Sequence, residues 1–191
     1  MSGTLFERLR QRVRSGECRG EAFRAMVSEY AEPDEDDFGY DDLDVFIGLL
    51  FSDEEMPLPT RELEPEMVEF YKTPARVVFE FVERSGVTAE DVFVDLGSGL
   101  GQVVMLVNLL TGAKARGIEI EPAYCEYARD CASGLGLRDV EFINSDIREA
   151  DLGEGTVFFL YTPCRGEMMK NVLGRLRREA LSRPIRIIPY Y

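Results

Sequence analysis

The sequence contains no histidine, only four cysteines and no apolar run long enough to span a membrane. Without histidine, one chain cannot build a Ser-His or Cys-His nucleophile or a histidine-containing metal site. The four cysteines form no C-x-x-C pair, so we expect free thiols rather than a zinc site. The polar N-terminal region also lacks the apolar segment of a signal peptide. These absences predict a cytoplasmic protein without a metal centre and without a membrane partner.

Basic residues are scarce beside acidic ones, and the net charge is −14. Residues 29–69 carry sixteen acidic residues and a single base, Arg61, whereas residues 70–191 are nearly neutral. An acidic segment of this kind repels a phosphate backbone, so we do not expect nucleic acid as a partner. Two interpretations of the segment remain open. It is either a solvated acidic surface or a surface that attracts a basic protein or a cationic substrate.

The most informative segment present is V-F-V-D-L-G-S-G-L-G-Q-V-V at 92–104. An apolar strand delivers Asp95, and Gly97, Gly99 and Gly101 follow at alternate positions. Glycines allow positive φ angles and let the backbone approach a nucleoside-bearing ligand, and the helix that follows presents free N–H groups to it. The dinucleotide fingerprint G-x-G-x-x-G/A fails because Gln102 occupies its last position. A purely structural glycine turn is the alternative.

Acidic residues also follow the next two predicted strands. The strand at 115–122 ends near Glu119, which is placed to accept hydrogen bonds from ribose hydroxyls, with Glu121 as a weaker alternative. The strand at 140–144 leads to Asp146, which is either a ligand contact or a loop cap. Apolar runs at 156–161 and 185–190 predict two more strands, and helical patterns separate the strands. The expected fold is α/β, a doubly wound, mostly parallel sheet with the strand order 3-2-1-4-5.

These segments together resemble the class I S-adenosylmethionine-dependent methyltransferases, which have D-x-G-x-G-x-G after the first strand. The resemblance implies S-adenosylmethionine as cofactor, with Asp95 near its amino acid moiety and Asp146 and Ile147 at its adenine. The segment Y-K-T-P at 71–74 is similar to one that closes over the methionine end. Thr73 as a helix N-cap and Tyr71 as an apolar anchor are the alternative. The implied cofactor-binding residues are Tyr71, Thr73, Asp95, Gly97, Ser98, Gly99, Gly101, Gln102, Glu119, Asp146 and Ile147.

The resemblance also implies that the loop after the fourth strand lies beside the transferable methyl group. We therefore predict Tyr161, Thr162 and Pro163 as the catalytic, acceptor-side residues, with Cys164 more simply a buried filler. The glycine run is also similar to that of the non-SET histone lysine methyltransferases, the disruptor-of-telomeric-silencing family. That family carries asparagine after its fourth strand, where this chain has L-Y-T-P-C. Lysine specificity is therefore not transferred, and the acceptor is an unidentified protein side chain or small molecule.

The chain is predicted to have two parts. Helical patterns at 5–14, 21–30 and 43–51, with a proline-punctuated connector at 56–65, make residues 1–65 a helical cap. Residues 66–191 form the Rossmann-like domain. The C-terminal β-hairpin usual in this class is missing after the strand at 185–190. Either the sequence stops short of it or another segment or subunit covers the edge, as in a homo-oligomer. The predicted function is methyl transfer, and the alternative is a non-catalytic cofactor-binding or protein-interaction module.

Overall fold

A computed structural model describes residues 4–28 and 41–190 of the chain. Its centre is a five-stranded sheet in the order β3-β2-β1-β4-β5, and every pairing between neighbours is parallel. The strands are β1 (Val92–Leu96), β2 (Lys114–Glu119), β3 (Val140–Asn144), β4 (Val157–Tyr161) and β5 (Arg186–Tyr190). The α/β class and the strand order predicted from the sequence are confirmed.

Seven helices occupy the described residues: α1 (Leu5–Arg14), α2 (Glu21–Ser28), α3 (Asp42–Phe51), α4 (Ala75–Ser85), α5 (Gln102–Thr111), α6 (Pro122–Gly134) and α7 (Gly166–Ser182). The three helices expected near the N-terminus form, although residues 29 and 30 of the second lie outside the described residues. None of the helices described is both long and apolar enough to cross a membrane.

The sheet is covered on both faces, which explains why β1 and β4 consist almost entirely of buried apolar residues. The larger apolar cluster lies between one face and helices α1 to α6. The smaller cluster lies under α7 and the loop at 147–152 on the other face. Helices α1 to α3 thus share a core with the Rossmann-like part. The boundary near residue 65 stays a prediction.

The outer edge of β5 is weakened by a proline. The backbone N–H of Arg186 donates to Thr156 O at 2.8 Å, so alternation along the strand directs the N–H groups of Ile188 and Tyr190 towards β4. Pro189 therefore occupies a position whose N–H would face outwards. Its ring costs no hydrogen bond to β4 and removes one donor from the free edge. Pairing of this edge with a second copy stays a prediction.

A buried carboxylate joins α3 to α4. The side chain of Asp44 is 5% exposed, and its Oδ1 accepts a hydrogen bond from the N–H of Ala75 at 2.9 Å, at the first residue of α4. The same oxygen lies 3.8 Å from Lys72 Nζ. Pro74 is the N-cap of α4 and offers no side-chain acceptor. The idea that Thr73 caps this helix is therefore wrong, because an aspartate from another helix supplies the acceptor.

We expect Asp44→Ala to lower the free energy of unfolding by about 1–3 kcal/mol, because it removes a buried helix cap and the partner of the half-buried Lys72. Asp42→Ala is the matched control, since Asp42 is an exposed residue in the first turn of the same helix. The measurement is urea unfolding followed by circular dichroism. Equal midpoints for the two variants would contradict the assigned role of Asp44.

Candidate active site at the carboxyl ends of the strands

A cavity of about 960 Å³ lies at the carboxyl ends of β1, β2 and β4. In open α/β sheets, ligands bind at this edge near the point where the strand order reverses, here between β1 and β4. Twelve of the fourteen predicted site residues line the cavity: Tyr71, Thr73, Asp95, Gly97, Ser98, Gln102, Glu119, Asp146, Ile147, Tyr161, Thr162 and Pro163. Gly99 and Gly101 are not among its lining residues.

Gly99 and Gly101 instead allow aromatic rings to pack against the turn. A Cβ at Gly99 would lie 2.2 Å from the ring of Phe70, and a Cβ at Gly101 would lie 2.4 Å from the ring of Phe142. Both residues have positive φ angles, +51° and +80°, and Gly101 is the N-cap of α5. Glycine is therefore required at both positions for two reasons: an aromatic ring packs directly against the backbone, and the backbone is left-handed.

The carboxylate of Glu119 connects the end of β2 to the glycine turn. Its Oε2 accepts a hydrogen bond from Gly99 N at 2.7 Å, and its Oε1 accepts one from Glu121 N at 2.8 Å. Burial raises the pKa of Glu119, and these backbone donors offset part of that rise. A carboxylate has about four acceptor positions, so positions remain for ligand hydroxyls.

Asp95 is a buried carboxylate at the end of β1, with a side chain only 2% exposed. Burial, and then the nearby Glu119, raise its pKa well above the ordinary value. Among the described residues none donates a hydrogen bond to it. The neighbouring Ser98 Oγ is likewise buried without a partner in this part of the chain. The unpaired carboxylate of Asp95 fits a ligand that brings a positive charge and hydrogen-bond donors, whereas Ser98 Oγ is enclosed beside Gly117 of β2.

Gln102 links the glycine turn to the segment before α4. Its Nε2 donates to Thr73 O at 2.8 Å, which holds the Y-K-T-P segment beside the cavity. Tyr71 lines the mouth of the cavity and is 62% exposed. Gln102, which excluded the dinucleotide fingerprint, thus holds the segment before α4 in place.

The predicted acceptor-side residues lie together after β4. The rings of Tyr161 and Tyr190 are 4.6 Å apart, and burial, Tyr190 and Tyr71 all raise the pKa of Tyr161. Thr162 has a φ of +34° and is the one non-glycine residue with positive φ in the described structure. Its hydroxyl donates to Tyr190 O at 3.2 Å. Backbone strain at a β-branched residue beside a cavity is typical of functional loops.

Cys164 is buried and packs in the smaller apolar cluster. Burial raises the pKa of its thiol to about 11, so the thiol is protonated at neutral pH. This environment suits a small apolar filler. The described residues also contain no group of three Cys, Asp or Glu side chains placed to hold a metal ion.

Part of the connector predicted at 56–65, together with residues 66–68 that follow it, closes one side of the cavity. We call residues 60–68 the strap. At its start, the carboxylate of Glu121 accepts hydrogen bonds from Thr60 N at 2.9 Å, Thr60 Oγ1 at 2.6 Å and Arg61 N at 2.9 Å. At its end, Val68 N donates to Pro163 O at 3.1 Å. The strap therefore runs from the loop after β2 to the loop after β4.

The strap also contacts the start of α7. The carboxylate of Glu66 accepts hydrogen bonds from Glu167 N at 3.1 Å and Met168 N at 2.8 Å, and these donors lower its pKa. Arg165 N in turn donates to Glu66 O at 2.8 Å. An acid at a helix N-terminus satisfies free N–H groups and the helix dipole. No sequence spacing signals this pairing, because about a hundred residues separate its partners.

Asp146 lies between the end of β3 and the cavity, as predicted. Its carboxylate accepts hydrogen bonds from Arg148 Nε at 3.0 and 2.9 Å and from Arg148 N at 2.7 Å. The guanidinium lowers the pKa of Asp146, so the carboxylate is ionised at neutral pH. Arg148 was not predicted as a site residue, and only its position two residues after Asp146 could have suggested it.

The fold and the site define a class of protein. A parallel sheet in the order 3-2-1-4-5, a glycine turn after β1 and acidic residues after β1, β2 and β3 are the arrangement of Rossmann-like methyltransferases. A family model described as "Histone methylation protein DOT1" matches residues 70–148. No match is found among the curated proteins.

Solved structures extend this result. The chain is 36% identical to an RNA methyltransferase from Salinibacter ruber solved in complex with S-adenosyl-L-homocysteine, over 61% of this chain and 71% of that chain, with a TM-score of 0.50. A dimethyladenosine transferase from Plasmodium falciparum shares the fold, with 13% identity over 60% of this chain and 40% of that chain and a TM-score of 0.52. The chain belongs to the class I S-adenosylmethionine-dependent methyltransferases.

We expect Asp95→Asn to stabilise the ligand-free protein at pH 7 by about 1 kcal/mol or more, which is about 2–4 °C in Tm for a chain of this size. The folded pKa of Asp95 is raised, so ionisation destabilises the fold as pH increases from the unfolded pKa to the folded pKa. Asparagine has no such titration.

Thermal unfolding between pH 4 and 8 measures this effect. The difference between variant and wild type should grow with pH across that window. The control is Asp91→Asn, because Asp91 is paired with Arg186 and its pKa is lowered, so the opposite sign is expected there. A loss of stability in Asp95→Asn at pH 7 would refute the assignment.

Proposed function

We propose that this methyltransferase acts on a neutral or positively charged acceptor, either a protein side chain or a small molecule. The observation that carries the proposal is the excess of acidic side chains in the cavity wall, which has nine carboxyl groups and two basic side chains, Arg61 and Lys72. Arg10 and Arg148 lie behind the lining and pair with two of these carboxylates, those of Asp53 and Asp146, so the excess remains. The carboxylates belong to Asp44, Asp53, Glu54, Glu62, Glu69, Asp95, Glu119, Glu121 and Asp146. Although the Salinibacter relative is an RNA methyltransferase, such a wall repels a polyphosphate backbone.

The cofactor is S-adenosylmethionine, whose positively charged sulfur carries an electrophilic methyl group. The buried carboxylate of Asp95 and the free acceptor positions of Glu119 fit its ammonium group and its ribose hydroxyls, respectively. Asp146 and Ile147 fit the adenine, one as hydrogen-bond acceptor and the other as apolar wall. Each of these assignments pairs one chemical group of the cofactor with side chains of matching chemistry that line the cavity.

The acceptor side of the cavity acts by aligning the acceptor with the methyl group of the cofactor. A cavity of 960 Å³ lies at the upper end of the range of about 300–1,000 Å³ that ligand pockets span, which leaves room for an acceptor beside the cofactor. Tyr161 keeps a protonated hydroxyl at neutral pH because its pKa is raised. It therefore orients an acceptor by hydrogen bonding instead of serving as a base. Positioning of this kind supplies most of the catalysis for a reactive methyl donor.

The free thiols suit a reducing compartment. Cys18, Cys125, Cys131 and Cys164 are all unpaired and buried. We propose a cytoplasmic location on this basis.

Cofactor binding can be tested at Glu119. We expect Glu119→Ala to raise the Kd for S-adenosylmethionine by roughly 10- to 100-fold, because hydrogen bonds to charged groups contribute about 1.5–3 kcal/mol each. Isothermal titration calorimetry measures the Kd. Glu141→Ala is the control, since Glu141 lies on β3 and its side chain is 60% exposed. Equal affinity in both variants would contradict the site.

The acceptor class requires a turnover experiment. Release of S-adenosylhomocysteine should be measured with three sets of compounds: basic peptides, small amines and RNA oligonucleotides of mixed sequence. We expect turnover with members of the first two sets and none above background with RNA. The matched variant replaces the exposed carboxylates Glu54, Glu62 and Glu69 by glutamine, and it should raise the KM of cationic acceptors. Turnover confined to RNA would refute the proposal, and binding without turnover on any set would favour a non-catalytic module.

A further inference from the structure

We propose that Arg148 is a positioning residue that orients Asp146 for the adenine and at the same time latches the strap through Glu64. Cofactor binding and strap closure would then be coupled. This inference rests on the cofactor site described under the proposed function. It concerns two residues, Arg148 and Glu64, that the sequence did not indicate.

The guanidinium of Arg148 lies between two carboxylates. Its Nε and Nη2 donate to Asp146 Oδ2 at 2.9 and 2.5 Å. Its Nη1 and Nη2 donate to the two carboxylate oxygens of Glu64 at 3.1 and 2.9 Å. Arginine alone offers enough donors in one rigid plane to bind two carboxylates in this bidentate manner. The planes of the two acids are therefore fixed relative to each other.

The Asp146 end of this bridge belongs to the cofactor site. Asp146 lines the cavity, and its side chain is only 17% exposed. Arg148 contributes twice to its orientation, through the guanidinium and through the backbone N–H that donates to Oδ1 at 2.7 Å. An adenine amino group would need the carboxylate in one fixed rotamer, which this double contact provides.

The Glu64 end belongs to the strap. Glu64 lies between two anchored parts of the strap: Thr60 and Arg61, which donate to Glu121, and Glu66 and Val68, which are held by the start of α7 and by Pro163. Exposed ion pairs contribute little to folding on their own, and the Glu64 side chain is 48% exposed. A contact of this strength is suited to opening and closing. Because Arg148 is shared, any ligand that fixes Asp146 also favours the latched strap, and the coupling is reciprocal.

The first experiment measures strap closure. Trypsin can cut after Arg61 inside the strap, and mass spectrometry identifies that cut. We expect S-adenosylmethionine to slow this cleavage about tenfold in the wild type and much less in Glu64→Gln and Arg148→Met. The matched control is Arg84→Met, which removes an arginine from an exposed pair with Glu80 on α4. Full protection in both latch variants at saturating cofactor would overturn the coupling.

The second experiment measures adenine recognition. The ratio of Kd values for S-inosylhomocysteine and S-adenosylhomocysteine reports the contact with the adenine amino group. We expect this ratio to fall about tenfold in Arg148→Met, to fall less in Arg148→Lys, and to stay at the wild-type value in Glu64→Gln. A purely structural role would weaken both ligands equally. An unchanged ratio in Arg148→Met would overturn the positioning role.

The two proposals fail in different ways. If wild type binds neither nucleoside, the cofactor site itself is wrong. If wild type binds with discrimination and protection but the latch variants match it, only the role of Arg148 is wrong. Should Arg148→Met fail to fold, Arg148→Lys and Glu64→Gln decide between these outcomes.

Discussion

The rest of the site depends on the hydrogen bonds that the Glu119 carboxylate accepts from the backbone N–H groups of Gly99 and Glu121. The first fixes the glycine turn after β1 against the end of β2, so the two strand ends cannot move apart. The second orients Glu121, whose own side chain caps α6 through Ala123 N and holds the strap through Thr60. Two successive acids of one strand end thus determine the shape of the turn, the start of a helix and the path of the strap.

The fold was predictable because local patterns determine it. The central strands β1 and β4 are mostly apolar runs, while β2 (K-A-R-G-I-E) is recognised by its place between two helical patterns. Parallel pairing then places every strand's carboxyl end at one edge. Asp95, Glu119 and Asp146 were found by this reasoning, since each is an acidic residue at or just after a strand end. The same logic placed Tyr161, Thr162 and Pro163 together at the cavity. Site residues that directly follow a strand can therefore be predicted without knowing any long-range contact.

Other features escaped prediction because their partners are distant in sequence. Asp44 caps α4 from α3, and the local candidate, Thr73, does not, because the chain extends through Pro74 and the buried carboxylate reaches Ala75 first. The strap resembled a loop because its hydrogen bonds go to residues sixty to a hundred positions away. Gly99 was assigned to the ligand, yet the ring of Phe70 occupies the space beside it. The sequence does not show whether a ligand or a side chain of the protein fills the space beside a glycine; the folded structure does.

Three positions that weaken the fold lie where the ligand would bind, whereas Ser85 Oγ, a buried hydroxyl in α4 that also has no partner among the described residues, does not line the cavity. A buried carboxylate without a donor at Asp95, an unpartnered hydroxyl at Ser98 and a left-handed backbone at Thr162 each destabilise the folded state. All three lie on the lining of one cavity, while the two apolar clusters beneath them are packed with ordinary core residues. Selection for stability alone would favour replacing such residues. Their common location supports the proposal that a ligand supplies the charge and hydrogen bonds that Asp95 lacks, and the acidic residues of the cavity support the proposal of a neutral or cationic acceptor.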